Sequence, residues 1–495
     1  MILTRLVCIS LENGVLNWPV VYFLLAFVSL AFSISVTLHA VLHKRDVRSV
    51  IGWVGLAWFT PVLGSLAYLV LGINRIHRKA STLKIRESWN KYPDAELNSH
   101  DLEQVEIVRK DFPNIAGLAA AGHHLSKLQL KPGNSVEPLV DGDEAYPAML
   151  EAIGDATSSV ALLSYIFDCD RVGVMFEEAL VAAQQRGVEV RVLVDDVGSK
   201  YSKPNMVRRL RAAGLKTTGF LPAQLPRLPK YANMRNHRKI LVVDGQVGFT
   251  GGTNIREGHC LKMAPDFPVQ CLHFILRGPV VRQLSRVFAI DWAFATGEEL
   301  SGDTWFPKID RVGEVWARGI EHGPDEQFER LTDLIAAALA SAQQRVRIVT
   351  PYFLPHSSLI QSLNAAALRN VEVEIYIPAH NNITLVEWAC TAQLWQNLEK
   401  GCRVFTTPDP FDHTKVMIVD DIWSLIGSTN WDPRSLRLNF EFNVECYSPD
   451  FAMKLNQIID GKAETASEIT LADVNARRLP IRLRDGLARL ASPYL

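Results

Sequence analysis

Cysteine is scarce and unorganised in this 495-residue chain: seven residues, an odd number, with no C-x-x-C pair. That spacing offers no recognisable zinc site and no disulfide framework, and it favours a reducing compartment for the catalytic part. Net charge is nearly absent as well, a formal −1, so nothing global points to nucleic acid as a partner. Nor is there a cluster of carboxylates of the kind a magnesium-dependent site needs, so neither metal nor cofactor is expected. The last absence is local. Between residues 197 and 239 there is no Asp or Glu, while Lys200, Lys203, Arg208, Arg209, Arg211, Lys216, Arg227, Lys230 and Arg235 lead up to Arg238 and Lys239. Charge runs are often solvated faces, but one wholly without acids favours an anionic substrate or an anionic membrane surface.

What is present is one short constellation, twice. Asn236-His237-Arg238-Lys239 runs on to Asp244 and is followed by Gly251-Gly252-Thr253-Asn254; His413-Thr414-Lys415 runs on to Asp420 and is followed by Gly427-Ser428-Thr429-Asn430. Both read H-x-K-x4-D with an Asn at the same offset from the histidine. A single copy would be a weak motif, but two copies with matching trailers describe a site built from two halves. The duplication extends upstream. Residues 160–167 match 346–353, residues 188–195 match 371–378, and helical patterns lie between them at 176–186 and 359–369. Apolar β-branched runs alternating with helices of this length predict α/β units with largely parallel, buried strands. Two such units, expected at 137–318 and 319–495, would face each other across a pseudo-two-fold with substrate in the shared cleft.

The amino-terminal region is different in kind. Residues 20–42 carry no charge apart from a possible His39 and are long enough to span a bilayer. A cleaved signal peptide fits less well, because the apolar run is long and Arg5 is the only basic residue ahead of it. Residues 50–73 form a second apolar stretch, interrupted by Pro61 and Gly64 and closely bracketed by Arg45, Arg48, Arg75 and Arg78, which predicts a second span or a segment that re-enters at Pro61. Residues 1–76 are therefore an expected membrane anchor. Basic residues on both flanks leave the topology open, with the catalytic region favoured on the cytoplasmic side. Residues 77–136 read as a polar connecting segment with one helix near 101–109. The tail from Ala472 mixes Arg477, Arg478, Arg482, Arg484 and Arg489 with leucines and is interrupted by Pro480; it suits either an anionic bilayer or a helix docked on the domain.

Residues two apart on a strand share a face, so His237 with Lys239, and His413 with Lys415, project together. The lysines can neutralise phosphate charge. Asn254, Asn430 and Ser428 lie past tight turns where they can donate to phosphate oxygens, and the glycines allow close backbone approach. Two histidines in opposite protonation states supply a nucleophile and a proton for a departing alkoxide without metal. Asp244 and Asp420 are counted with the catalytic set as members of the motif, although each is followed by Gly or Asp and suits a turn.

These residues resemble the phospholipase D superfamily and, within it, the bacterial cardiolipin synthases. The resemblance is carried by the two H-x-K-x4-D motifs, Arg235-Asn236-His237, Pro351-Tyr352-Phe353-x-Pro355, Gly427-Ser428-x-Asn430-x-Asp432-x-Arg434-Ser435, Asn439-Phe440-Glu441 and Ser492-Pro493-x-Leu495. It implies two similar α/β domains around one active site, preceded by membrane helices, in a multi-pass protein of the bacterial inner membrane. It implies that one histidine attacks phosphorus and the other protonates the leaving alcohol, with His237 as nucleophile and His413 as acid, and the residues themselves leave the reverse open. It implies that Glu441 orients an imidazole. The activity implied is joining two phosphatidylglycerol molecules into cardiolipin and glycerol; hydrolysis, transfer from another phospholipid and, less readily beside membrane segments, nuclease activity use the same residues. The chain departs from the pattern once. Where members of the family usually carry an aspartate just before the histidine of the segment resembling Leu272-His273-Phe274, the stretch Val269-Gln270-Cys271-Leu272-His273 holds no acid; either Asp266, the nearest, takes the role or one histidine lacks its carboxylate.

Overall fold

The computed structural model describes residues 18–44, 46–72, 99–221, 234–323 and 329–492. The flank expected from Arg75 to Arg86, the basic positions Arg227 and Lys230, and the terminal Pro493 and Leu495 lie outside them. The chain divides into two compact units, Met1–Arg78 and Lys79–Leu495.

In the smaller unit, the helix Trp18–His43 is long and apolar enough to cross a membrane, and among the described residues it alone is. Tyr22, Phe23, Leu25, Phe27 and Leu38 stand exposed along it, a surface that water does not favour. The expected second span is broken. Helix Val47–Phe59, capped by Asp46 on Arg48 N and Ser49 N, stops at Thr60 because the residue before Pro61 is forced out of helical geometry. A short helix Pro61–Ala67 and a π-turn Tyr68–Gly72 follow. Thirteen residues rise only about 20 Å, short of a hydrocarbon core. The two long helices lie against each other: Ser33 Oγ donates to Ala57 O at 2.7 Å, and Trp58 Nε1 to Thr37 Oγ1 at 3.0 Å.

In the larger unit a 16-stranded sheet repeats one strand order twice among the described residues. In the first half the order is Lys131–Val140, Leu272–Arg277, Val247–Gly251, Ile240–Val243, Ser159–Ser164, Glu189–Asp195, Lys216–Phe220. In the second it is Val315–His322, Asn439–Tyr447, Trp423–Gly427, Val416–Val419, Arg345–Val349, Glu372–Pro378, Arg403–Thr407, with Ser467–Ile469 at the edge. The opening strands of the two halves pair antiparallel and join the sheet. Each half has its own core. One is built on Tyr146, Phe167, Phe176 and Phe249, the other on Leu334, Phe353, Trp423 and Trp431.

The sheet is mixed, not largely parallel. Within each half the parallel pairing joins three strands, Ser159–Ser164, Glu189–Asp195 and Lys216–Phe220 in the first and Arg345–Val349, Glu372–Pro378 and Arg403–Thr407 in the second. The motif strands Ile240–Val243 and Val416–Val419 turn straight back in hairpins, which forces antiparallel pairing. The turns carry positive φ at Asp244 (50°), Gly245 (63°), Asp420 (52°) and Asp421 (55°), the geometry that suits the sheet's twist. The segment expected as a polar connector holds two helices, Ser99–Asp111 and Ala116–Leu125, joined through the turn Pro113–Ile115; Val105, Val108 and Leu118 of the helices and Ile115 of the turn are part of the second half's core. Pro480 does not interrupt the tail. It sits in the first turn of helix Leu479–Leu490, where a missing N–H costs nothing.

Candidate active site

Each motif histidine follows a two-residue strand that pairs with the opposite half. Arg235–Asn236 runs parallel to Asn439–Phe440, and His237 N donates to Phe440 O at 2.9 Å. Phe411–Asp412 runs parallel to Val269–Gln270, and His413 N donates to Gln270 O at 2.7 Å. Neither histidine is positioned by its own half alone. Both line one cleft of about 600 Å³, with Tyr165, Asn254, Arg256, Tyr352, Asn430 and Arg434.

Lys239 and Lys415 are buried beside their histidines, and each ammonium donates to its own histidine's carbonyl, Lys239 at 2.7 Å and Lys415 at 2.5 Å. Burial lowers Lys239 to about 7, against the opposing pull of Glu441, and Lys415 to about 8. Two ammonium groups sunk close together in a dry site are short of negative charge, and an anion entering the cleft supplies it.

The histidines are held differently. His237 Nδ1 is 3.0 Å from the Glu441 carboxylate, which reaches across from the other half. Ser428 Oγ and Asn439 Nδ2 donate to the same carboxylate. Burial alone would raise Glu441, but His237, Lys239 and Ser428 outweigh it and hold the carboxyl below its usual range. An ionised Glu441 accepting from Nδ1–H leaves Nε2 as the free lone pair of a neutral ring. Burial, offset in part by Glu441 and reinforced by Lys239, lowers His237 to about 4.

Among the described residues no carboxylate pairs with the His413 ring. Its Nδ1 lies 3.1 Å from Gly252 O and 4.0 Å from Cys271 Sγ, which is itself 3.3 Å from His413 O. Asp266 is exposed on the surface and does not take the role considered for it. Sheet register identifies Cys271 as the counterpart of Glu441: Gly251 pairs with His273 as Gly427 pairs with Asn443, so the residues two before each correspond. The neighbouring pair, Ser428 and Gly252, diverges in step. A Cβ on Gly252 would come within 2.6 Å of the Cys271 sulfur and 3.0 Å of His413 O. Burial raises the Cys271 thiol to about 11, so it remains protonated. Burial and the two lysines push His413 well below its ordinary value.

Three expected site residues stand elsewhere. Asp244 and Asp420 cap the hairpin turns at the far ends of the motif strands. Asp244 accepts from the backbone N–H groups of Thr157, Ser158 and Ser159 and from Thr157 Oγ1; Asp420 accepts from those of Gln343, Gln344 and Arg345. They pin the strands and do not face the cleft, because four residues of extended chain separate them from the lysines. Ser428 is committed to Glu441 and to Phe442 N, so it steadies the carboxylate and is not a phosphate donor. Asn254 and Asn430 do line the cleft, and Asn430 Nδ2 reaches Ser435 Oγ at 3.2 Å. Arg256 and Tyr165 also line the cleft although neither belongs to a motif; Arg256 lies two residues past Asn254 as Asp432 does past Asn430, and that alignment is its signal in the sequence.

A family profile described as "Cardiolipin synthase, PLD-like domain" matches residues 149–292 and 335–462. The chain belongs to the phospholipase D-like cardiolipin synthase family. Among curated relatives, the major cardiolipin synthase ClsA of Bacillus subtilis (strain 168) is 30% identical over 464 residues, covering 92% of this chain and 95% of that protein. A cardiolipin synthase of Geobacillus sp. (strain WCH70) is 31% identical, covering 92% and 90%. The phosphatidylserine synthase of Haemophilus influenzae Rd KW20 superposes with a TM-score of 0.61 at 14% identity, over 76% of this chain and 100% of that one, a likeness of fold. As a cardiolipin synthase family member the chain is a phosphatidyltransferase of phospholipase D type, with a phospholipid substrate and a membrane context.

Proposed function

We propose that the protein transfers a phosphatidyl group between two phosphatidylglycerol molecules, giving cardiolipin and glycerol. The observation that carries the chemistry is the unequal support of the two histidines: Glu441 fixes the His237 tautomer and leaves Nε2 to attack, while His413 has no carboxylate and is free to exchange a proton. His237 Nε2 attacks phosphorus as the P–O bond to glycerol breaks, and His413 gives its proton to the departing alkoxide. The covalent intermediate is a phosphatidyl-histidine. His413 then takes the proton from a hydroxyl of the second phosphatidylglycerol, whose oxygen forms the new P–O bond and displaces His237. Atoms and protons balance over the two halves, and no metal or cofactor enters. Lys239, Lys415, Asn254 and Asn430 hold the phosphodiester oxygens, and the arriving anion raises the lowered His413 into its proton-carrying form.

The relatives named cardiolipin synthase supply the product. The inner-membrane reading rests on Trp18–His43 as a span, with residues 47–72 packed back along it as a segment that re-enters instead of crossing; the basic flanks favour the cytoplasmic side for the catalytic unit. Lipid analysis after expression in a bacterial strain lacking cardiolipin tests the function. Cardiolipin should appear. Accumulation of phosphatidic acid without cardiolipin would establish a hydrolase, and cardiolipin analogues built on another headgroup a different transferase.

A further inference from the structure

The carboxy-terminal helix Leu479–Leu490 uses only half of itself to hold the fold. Its inner face is Asp485 and Ala488, both buried. Asp485, the one acid in the helix, is consumed by Arg477 and Arg484, and Arg484 stacks 4.0 Å over the Trp388 ring. Through Trp388 and a contact from Arg477 to Thr391 O, the helix is fixed to helix Thr384–Thr391. The opposite face is apolar and unpartnered. Leu479, Leu483, Leu487 and Leu490 are 66%, 59%, 68% and 74% exposed. At 3.6 residues per turn these four fall on one stripe, roughly 180° from the Asp485–Ala488 face. Arg478, Arg482 and Arg489 flank it, and no carboxylate pairs with them among the described residues.

That pattern is what a helix lying at a bilayer surface needs: apolar depth below and cations at headgroup level. Its placement on the fold gives it a use. Helix Thr384–Thr391 is also a wall of the cleft, because Asn382, Ile383 and Val386 line the pocket that holds both motif histidines. Other apolar side chains stand out beside cleft-lining residues. Phe267 is 80% exposed two residues before Val269, and Leu385 is 39% exposed next to Val386.

We propose that the leucine stripe of Leu479–Leu490 inserts into the surface of an anionic phospholipid leaflet and seats the cleft mouth against it, so that substrate headgroups enter from the membrane plane. The inference rests on the reading of the substrate as a membrane phospholipid. Charge decides the occupant: an outward face with three unpaired arginines and no acid fits anionic headgroups and repels a second copy of itself.

The test uses the full chain reconstituted in phosphatidylglycerol–phosphatidylethanolamine vesicles. An environment-sensitive fluorophore is placed on Leu487→Cys, with labelling of the parent chain subtracted. Lipids carrying a quencher on the acyl chain should quench it, whereas the same probe on Met453→Cys, exposed on helix Pro449–Ala463, stays unquenched. Arg482→Ala should weaken insertion of the helix about fivefold. A Leu483→Glu, Leu487→Glu pair should lower cardiolipin formation on vesicles about tenfold, the apolar area lost being two leucines, while leaving activity on detergent-dispersed lipid unchanged. A probe at 487 that stays in water, or equal losses on vesicles and in detergent, would overturn the proposal. So would conversion of a dimer to a monomer by the leucine substitutions, seen by light scattering, since the stripe would then be a self-association surface. If the parent chain makes no cardiolipin but the probe is quenched, the proposed function fails and the membrane surface stands.

Discussion

Glu441 reaches across to His237 with Ser428 and Asn439 behind it, whereas His413, at the equivalent place in the other half, meets a backbone carbonyl and a neutral thiol. Strand order, hairpin turns and cross-half pairing are otherwise the same. A duplicated frame therefore supplies geometry, and the residues two before His273 and Asn443 supply the difference in role. On the proposed assignment one histidine is held by its carboxylate as the neutral nucleophile, while the other is left without an anionic anchor and its protonation depends on what occupies the cleft.

Removing the histidines separates the halves most sharply. His237→Ala should abolish transfer from every donor. His413→Ala should lose on the order of 10²–10⁴-fold with phosphatidylglycerol, yet recover with a phosphatidyl donor whose leaving group needs no proton, such as a nitrophenol. Recovery by His237→Ala instead would reverse the assignment. The carboxylate comes next. Glu441→Gln should cost roughly 10²-fold or more in kcat, since an orienting partner of a catalytic imidazole fixes its tautomer. Cys271→Ala should change kcat by less than about threefold, as a thiol 4.0 Å from the ring contributes little of this kind. Equal losses at the two positions would erase the proposed asymmetry.

The lysines should cost about 10²-fold each when changed to Ala, through lost stabilisation of phosphate charge. They also set a pH window. Lys239 and Lys415 must be charged to bind an anion, and in the empty site they lose their protons near 7 and 8, so kcat/KM should fall as pH rises through that range. His237 must be neutral to attack and gains a proton only near 4, so the acid limb should lie there. Lys415→Arg should move the alkaline limb upward. The smallest effect on chemistry is expected at the hairpin caps. Asp244→Ala should lower the melting temperature, with about 1–3 kcal/mol of stability lost as its donors go unpaired, while the folded fraction keeps near-normal kcat. A large kcat loss at unchanged stability would return Asp244 to the catalytic set.

Much of this frame is legible in the sequence because side-chain periodicity and motif spacing are local. The two motifs and the paired Asn254 and Asn430 can be read along the chain, whereas Glu441 is singled out by the resemblance to the phospholipase D superfamily and not by spacing. Parallel against antiparallel pairing is less accessible, since a buried apolar run looks the same in either; the turn residues Asp244-Gly245 and Asp420-Asp421 were the available clue. The two-residue strands that clamp one half to the other are too short to carry any period. Cys271 is conspicuous only as a missing acid. That it stands opposite Gly252 and against His413 needs the register, which joins residues 142 positions apart.

The cross-half clamps have a consequence for how such a site can be assembled at all. Because each histidine strand is paired to the other half, an isolated half has no site, and two identical halves brought together by a symmetry axis would hold their imidazoles in identical surroundings. Both would then favour the same protonation state until substrate chose between them. Carrying the two halves on one chain lifts that degeneracy: a carboxylate can be kept on one side and exchanged for a thiol on the other, and on the proposed assignment the choice of which nitrogen attacks is then made by the resting protein before any lipid arrives.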